Sequence, residues 1–241
     1  MTYKKIREKD SPVGFNRDLS LLSTVLNHSE MLGGPVISSN PCKYVPKNKE
    51  RPRKKEIADE CIQSIYKFIA QHDPLLAEYL YLMIITARRG EEMIRLRKDS
   101  ATERGILFEI VKQRAGEGPK YRIVRWTNPL RMAWERLCLA LANEPDNCLR
   151  QRKRAKEPVH DENRLFGNLT RDAMTKRFER IRNKALAAGV IADGFRLHDI
   201  RSYSTKTLSS SQASQLLAHS SVVITEKHYM QGIEEIDPLV C

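Results

Sequence analysis

Thr86-Ala-Arg-Arg-Gly-Glu-Glu-Met-Ile-Arg-Leu96 places two arginines where an apolar helix ends. Just upstream lies the longest apolar stretch of the chain, Tyr79-Leu-Tyr-Leu-Met-Ile-Ile85. Asp73-Pro74 ahead of it reads as an N-cap followed by proline at the first helical position. A helix apolar on every side belongs in a core, and this stretch is far shorter than the ~18 residues that cross a membrane. The pattern therefore predicts a buried helix from Pro74 to about Thr86, with Arg88 and Arg89 held at its exit and a short helix over about 91–97.

Working outward, Ile62, Ile65 and Ile69 recur at helical spacing and predict a helix before Asp73. Downstream, Gly105-Ile-Leu-Phe-Glu-Ile-Val-Lys112 and Tyr121-Arg-Ile-Val-Arg-Trp126 are β-prone and separated by Gly116 and Gly118, which predicts a hairpin. Asn128-Pro129 is expected to cap a helix carrying Leu130, Trp134, Leu137 and Leu141. Thr170 opens a further helix that stops at Gly189, and 143–163 reads as a polar loop with the basic run Arg150-Gln-Arg-Lys-Arg-Ala-Lys156. The expected class is mainly α with a small antiparallel β-sheet (α+β). Before this core, residues 1–15 are polar and expected to fray, and Asn16 is placed to cap a helix over 17–31 that Gly33-Gly-Pro35 ends. The proline-rich basic stretch 38–56 reads as a linker. The division expected is 1–50, a helical segment with a basic linker, and 51–241, a compact domain.

The chain has 241 residues, 42 Lys and Arg against 30 Asp and Glu, and a net charge of +12. Its 41% hydrophobic content is enough for a core and excludes a disordered basic tail. The charge suits a polyanionic partner, with solubility as the bland alternative. Five scattered cysteines without a C-x-x-C pair argue against zinc and disulfides and fit a reducing cytoplasm. No apolar segment follows the N-terminus, so no secretory signal is expected.

The six histidines fall in no H-E-x-x-H pattern, and no P-loop or G-x-S-x-G elbow is present, so neither metal nor cofactor is expected. What remains is Arg88 and Arg89, then Phe195-Arg-Leu-His-Asp-Ile-Arg201, then Leu216-Leu-Ala-His-Ser-Ser-Val-Val-Ile-Thr-Glu-Lys-His-Tyr229. His198 and Arg201, three apart, would share a face on a helix. Arginine forks fit phosphate oxygens, histidine moves protons near neutral pH, and tyrosine can form a covalent intermediate. Together they suggest phosphoryl transfer at a phosphodiester. Taken singly, each has a plainer reading: an arginine anchored on Glu91 or Glu92, a histidine at a helix cap, a packed tyrosine.

In this order the segments resemble the tyrosine recombinases, the phage integrase family. Thr86, Arg89, Glu92 and Leu96 match its T-x-x-R-x-x-E-x-x-x-L box, His198-Asp-Ile-Arg201 its H-x-x-R box, and Leu217-Ala-His219-Ser220 its L-G-H-S box, with Tyr229 following. The resemblance covers about 57–235. It implies a metal-independent DNA strand transferase with Tyr229 as nucleophile, Arg89 and Arg201 on the phosphate, His198 as proton shuttle, His219 as a hydrogen-bond donor, and a hairpin base as general acid. Lys112 stands at the family's lysine position, with Arg114 and Lys120 as rivals. The resemblance further implies a double-stranded DNA partner, self-association into a tetrameric synapse, accessory DNA-bending proteins, no membrane, and a cytoplasmic, nucleoid-associated site of action.

This sequence departs from the pattern in two places. Ala218 replaces the usual glycine, and Tyr229 lies one residue further from His219 than in many members, where His228 would align. The family usually carries a helical core-binding domain before the catalytic one. Only residues 1–50 stand in its place, which leads us to expect a shortened prophage or mobile-element integrase, or alternatively a catalytically impaired DNA-binding remnant. The tail after Tyr229 carries apolar Ile233, Ile236, Leu239 and Val240. It is expected either to dock on a neighbouring protomer, as in the family, or to fray.

Overall fold

Burial organises the larger part of the molecule around one helix. In the computed structural model, which describes residues 3–31, 40–50, 56–111, 118–144, 163–206, 234–236 and 238, the helix α4 runs Pro74–Thr86. Leu75, Leu76, Tyr79, Leu80, Leu82, Met83 and Ile85 along it are each at most 2% exposed. Each such side chain contributes roughly 1.5–3 kcal/mol of gross burial energy, so the all-round apolar pattern fixes α4 at the centre. Asp73 caps it as expected: its Oδ1 accepts from the Leu76 amide at 3.0 Å, with Pro74 in the first turn. The helix ends on Ala87, a non-glycine residue at φ 51°, ψ 26°.

Around α4 pack α3 (Asp59–His72), through Ile62, Ile65 and Ile69, and α6 (Asn128–Ala142), through Leu130, Ala133, Leu137 and Leu141. The short α5 (Gly90–Ile94) follows Arg89. Helix α7 (Arg171–Ala187) buries Met174, Phe178, Ile181 and Ala185, and α8 spans Asp199–Ser204. Strands β1 (Gly105–Ile110) and β2 (Lys120–Arg125) are antiparallel with Gly105 opposite Arg125, Phe108 opposite Arg122 and Ile110 opposite Lys120. β3 (Glu234–Ile236) adds to the other edge of β2 in parallel, giving the order β1-β2-β3. This part of the tail thus pairs within its own chain. Arg177 of α7 clamps the start of α4: its Nε and Nη2 donate to the two Asp73 carboxylate oxygens at 2.8 and 2.7 Å, and its Nη1 donates to Glu144 at 2.7 Å.

Several boundaries differ from the sequence expectation. The helix expected over 91–97 closes at Ile94, and Arg97 forms an isolated bridge with Arg164. The cap of α6 is Thr127, one residue earlier than Asn128, because its hydroxyl accepts from the Leu130 amide. Thr170 caps α7 as expected, and Gly189 just beyond it has φ +67°.

The chain divides into two units, Met1–Lys54 and Lys55–Cys241. The first is more ordered than its composition suggested. Residues 3–10 form α1, and α2 runs Pro12–Met31. Asn16 is no cap; it lies inside α2. The start of α2 is set by Ser11-Pro12, with the Ser11 hydroxyl accepting from the Gly14 amide at 3.2 Å. Nor is 40–50 an unpacked linker. It makes a 3₁₀ turn over Pro41–Tyr44 and seats Cys42 against Phe15 and Leu19. Asn16 donates to the Asn48 carbonyl at 2.8 Å, and Asn40 donates to the Ser23 carbonyl at 3.0 Å. Amide side chains thus join a small apolar cluster in holding this segment to α2. The basic residues 51–55 lie outside the described residues.

Candidate functional site: an arginine cluster at the end of the central helix

The left-handed turn at Ala87 reverses the chain and delivers Thr86, Arg88, Arg89 and Glu92 to one place. Glu92 is 1% exposed and gathers the arginines. Its Oε1 accepts from Arg89 Nη1 at 2.9 Å, and its Oε2 accepts from the Arg89 amide at 3.1 Å. Arg201, from the start of α8, donates through Nη1 to the Ala87 carbonyl at 3.0 Å and stands 3.9 Å from Glu92 Oε2. The plain reading that an arginine anchors Glu92 therefore holds, and two arginines far apart in sequence converge on it. Arg89 keeps 20% of its side chain exposed, against 7% for Arg201, so the Arg89 fork is the more open of the two.

Two further arginines belong to this cluster. Arg88, 0% exposed, donates its Nε to the Thr86 carbonyl at 3.1 Å, and its guanidinium carbon lies 6.0 Å from the centre of the Phe108 ring. Arg122 sits directly across the sheet from Phe108, and opposed residues of an antiparallel pair share a face. Burial pushes Arg88 down to about 9; Glu92 opposes the shift, while Arg201, Arg122 and Arg89 add to it. Burial and then Arg89 push Arg201 down to about 10. Both remain cations at neutral pH. Guanidinium groups that depress one another around a single carboxylate have the chemistry to bind an anion.

Of the residues named from sequence, the structure brings Arg89 and Arg201 together. His198 occupies the N-cap position of α8 and is exposed, whereas Arg201 is buried, so the two do not share one environment. The His198 carbonyl accepts from the Arg201 amide at 3.2 Å. Lys112, Arg114, His219 and Tyr229 lie outside the described residues. Lys120 is exposed at the start of β2, opposite Ile110. Sequence reasoning set Arg88 aside as a neighbour and missed Arg122. The signal for Arg122 was its place opposite Phe108, which requires the register. Among the described residues, no group of three or more metal-ligating side chains gathers.

No family model matches the chain, and no curated protein matches it in sequence. Solved structures do match in fold. A lambda integrase fragment (residues 75–356), a dimer bound to a COC′ core site, superposes with a TM-score of 0.60 at 16% identity, over 93% of this chain and 78% of that one. A longer lambda integrase dimer on the same core site gives 0.63 at 14% identity, and this chain spans 63% of its length. The Tn1549 transposon integrase (residues 82–397), in complex with circular intermediate DNA, gives 0.61 at 16% identity, over 94% of this chain and 79% of that one. The arginine cluster at the end of a buried helix is thus set in the fold of a tyrosine-recombinase catalytic domain.

Proposed function

We propose that this chain is a site-specific DNA recombinase of the integrase kind, of prophage or mobile-element origin. It would cleave and rejoin duplex DNA through a 3′-phosphotyrosine intermediate. One observation supports this above others: Arg89 and Arg201 meet on Glu92 within a recombinase fold. Their forks would hold the non-bridging oxygens of the scissile phosphate and stabilise the charge of the trigonal-bipyramidal transition state. Tyr229 would attack phosphorus, forming the tyrosyl ester as the bond to the 5′-oxygen breaks. His198 would take the phenolic proton, and His219 would donate a hydrogen bond to the phosphate. Lys112, or its rivals Arg114 and Lys120, would protonate the leaving 5′-oxygen. Attack by a 5′-hydroxyl of a partner duplex reverses the step and exchanges strands, with the bond energy held in the tyrosyl ester.

Duplex DNA is the partner this chemistry requires. Self-association on DNA follows from pairing two duplexes; the DNA-bound dimers among the solved structures are in keeping with it. Accessory bending proteins and action in the cytoplasm at the nucleoid complete the proposal. In it, residues 1–50 act with a helical core-binding role and 51–241 catalyse.

The test uses nicked duplexes from a randomised pool, which trap a covalent product once the short strand diffuses away. A DNA–protein adduct on a denaturing gel, lost in Tyr229→Phe and in Arg201→Ala, is expected. Binding to DNA with no adduct from the unaltered chain would leave a DNA-binding protein and sink the recombinase reading.

A further inference from the structure

Arg88 is the least expected residue of the molecule. Its guanidinium is wholly buried, one nitrogen is satisfied by Thr86, and among the described residues Nη1 and Nη2 have no hydrogen-bond partner. A buried polar group without a partner opposes folding, and a buried charge does so more strongly. Among the described residues, the charges bearing on it are one acid, Glu92, against Arg89, Arg122 and Arg201. The folded protein binds this proton less tightly than the unfolded chain does. The charge therefore opposes folding throughout the range below about 9, neutrality included. A purely structural role would favour a long apolar side chain here, packed on Phe108.

We infer that Arg88 is a positioning residue for the phosphate site: a buried cation that touches no substrate but whose field draws anionic charge onto Arg89 and Arg201. The inference rests on the phosphate-binding part of the reading above. It assigns the cost of the buried charge to the phosphate site, and that cost falls when an anion binds. Full burial of its nitrogens keeps Arg88 from competing with Arg89 for the phosphate oxygens.

The experiment compares the full chain with Arg88→Met and Arg88→Lys by thermal unfolding in buffer at about pH 5, which favours the charged form of a buried lysine. Inorganic phosphate is titrated as the probe. Without phosphate, Arg88→Met should melt higher by about 2–4 °C. Its apparent affinity for phosphate should be weaker by about tenfold, with Arg88→Lys retaining most of the response. The inference is overturned if Arg88→Met melts lower than the unaltered chain or titrates identically to it. It is equally overturned if Arg88→Lys is no better than Arg88→Met, or if the unaltered chain does not respond to phosphate. The adduct assay speaks to strand transfer alone. A normal phosphate response without an adduct would sink the recombinase reading and leave this one standing.

Discussion

Ala87 carries more of the site than its side chain suggests. It is buried, left-handed at φ 51°, and its carbonyl accepts from Arg201. An alanine costs about 1 kcal/mol or more in this conformation. Ala87→Gly should relieve that cost and lose a comparable amount to backbone entropy, leaving stability within about 1 kcal/mol of the original. Ala87→Val should lose more than about 2 kcal/mol, since a β-branched residue is a genuine outlier there. Urea denaturation checks both, and a stable Ala87→Val would show that the turn relaxes. At this scale the sequence was readable where chemistry sets the spacing: Arg89 and Glu92 share a turn, and Arg201 follows His198 by three. It was unreadable where only the third dimension brings groups together. Nothing local marks Arg88 as the buried arginine beside Arg89, or joins Arg122 to either.

Elements were legible to the extent that apolar periodicity defines them. The isoleucines of α3 and the unbroken apolar run of α4 read directly, as did the hairpin strands. The 40–50 segment did not, because Asn16 and Asn40 hold it through amide hydrogen bonds that a hydrophobic pattern does not register. Gly105, at the head of β1, tests the hairpin. A Cβ there would strike the Val124 carbonyl and approach Ile123 Cγ2 to 2.8 Å. Gly105→Ala should therefore cost at least about 2 kcal/mol by forcing β1 away from β2, visible as a lower urea midpoint. The clamp between α7 and α4 offers a second test. Arg177→Met leaves Asp73 and Glu144 buried without their cation, and removing one partner of such a set costs roughly 3–5 kcal/mol. A midpoint unchanged in that variant would mean that the carboxylates find water.

Across the whole molecule, the charge of +12 gains a focus in the arginine cluster. If the chain engages some six or more duplex phosphates, affinity should fall about a thousandfold or more between ~50 and ~200 mM salt. A titration flat over that range would sink the electrostatic reading. The overall class, helices about a small sheet, could be read from the pattern of elements. The tail's return as β3 could not, since a parallel strand is specified by distant pairing rather than by its own residues. Helix α4 is gripped at both ends, by Arg177 on Asp73 and by Arg201 on the Ala87 carbonyl. A rod so held opens as a unit rather than from one end. Phosphate bound at its far end should therefore slow amide hydrogen exchange along the whole of α4, first turn included. Protection confined to the last turn would show that the rod bends.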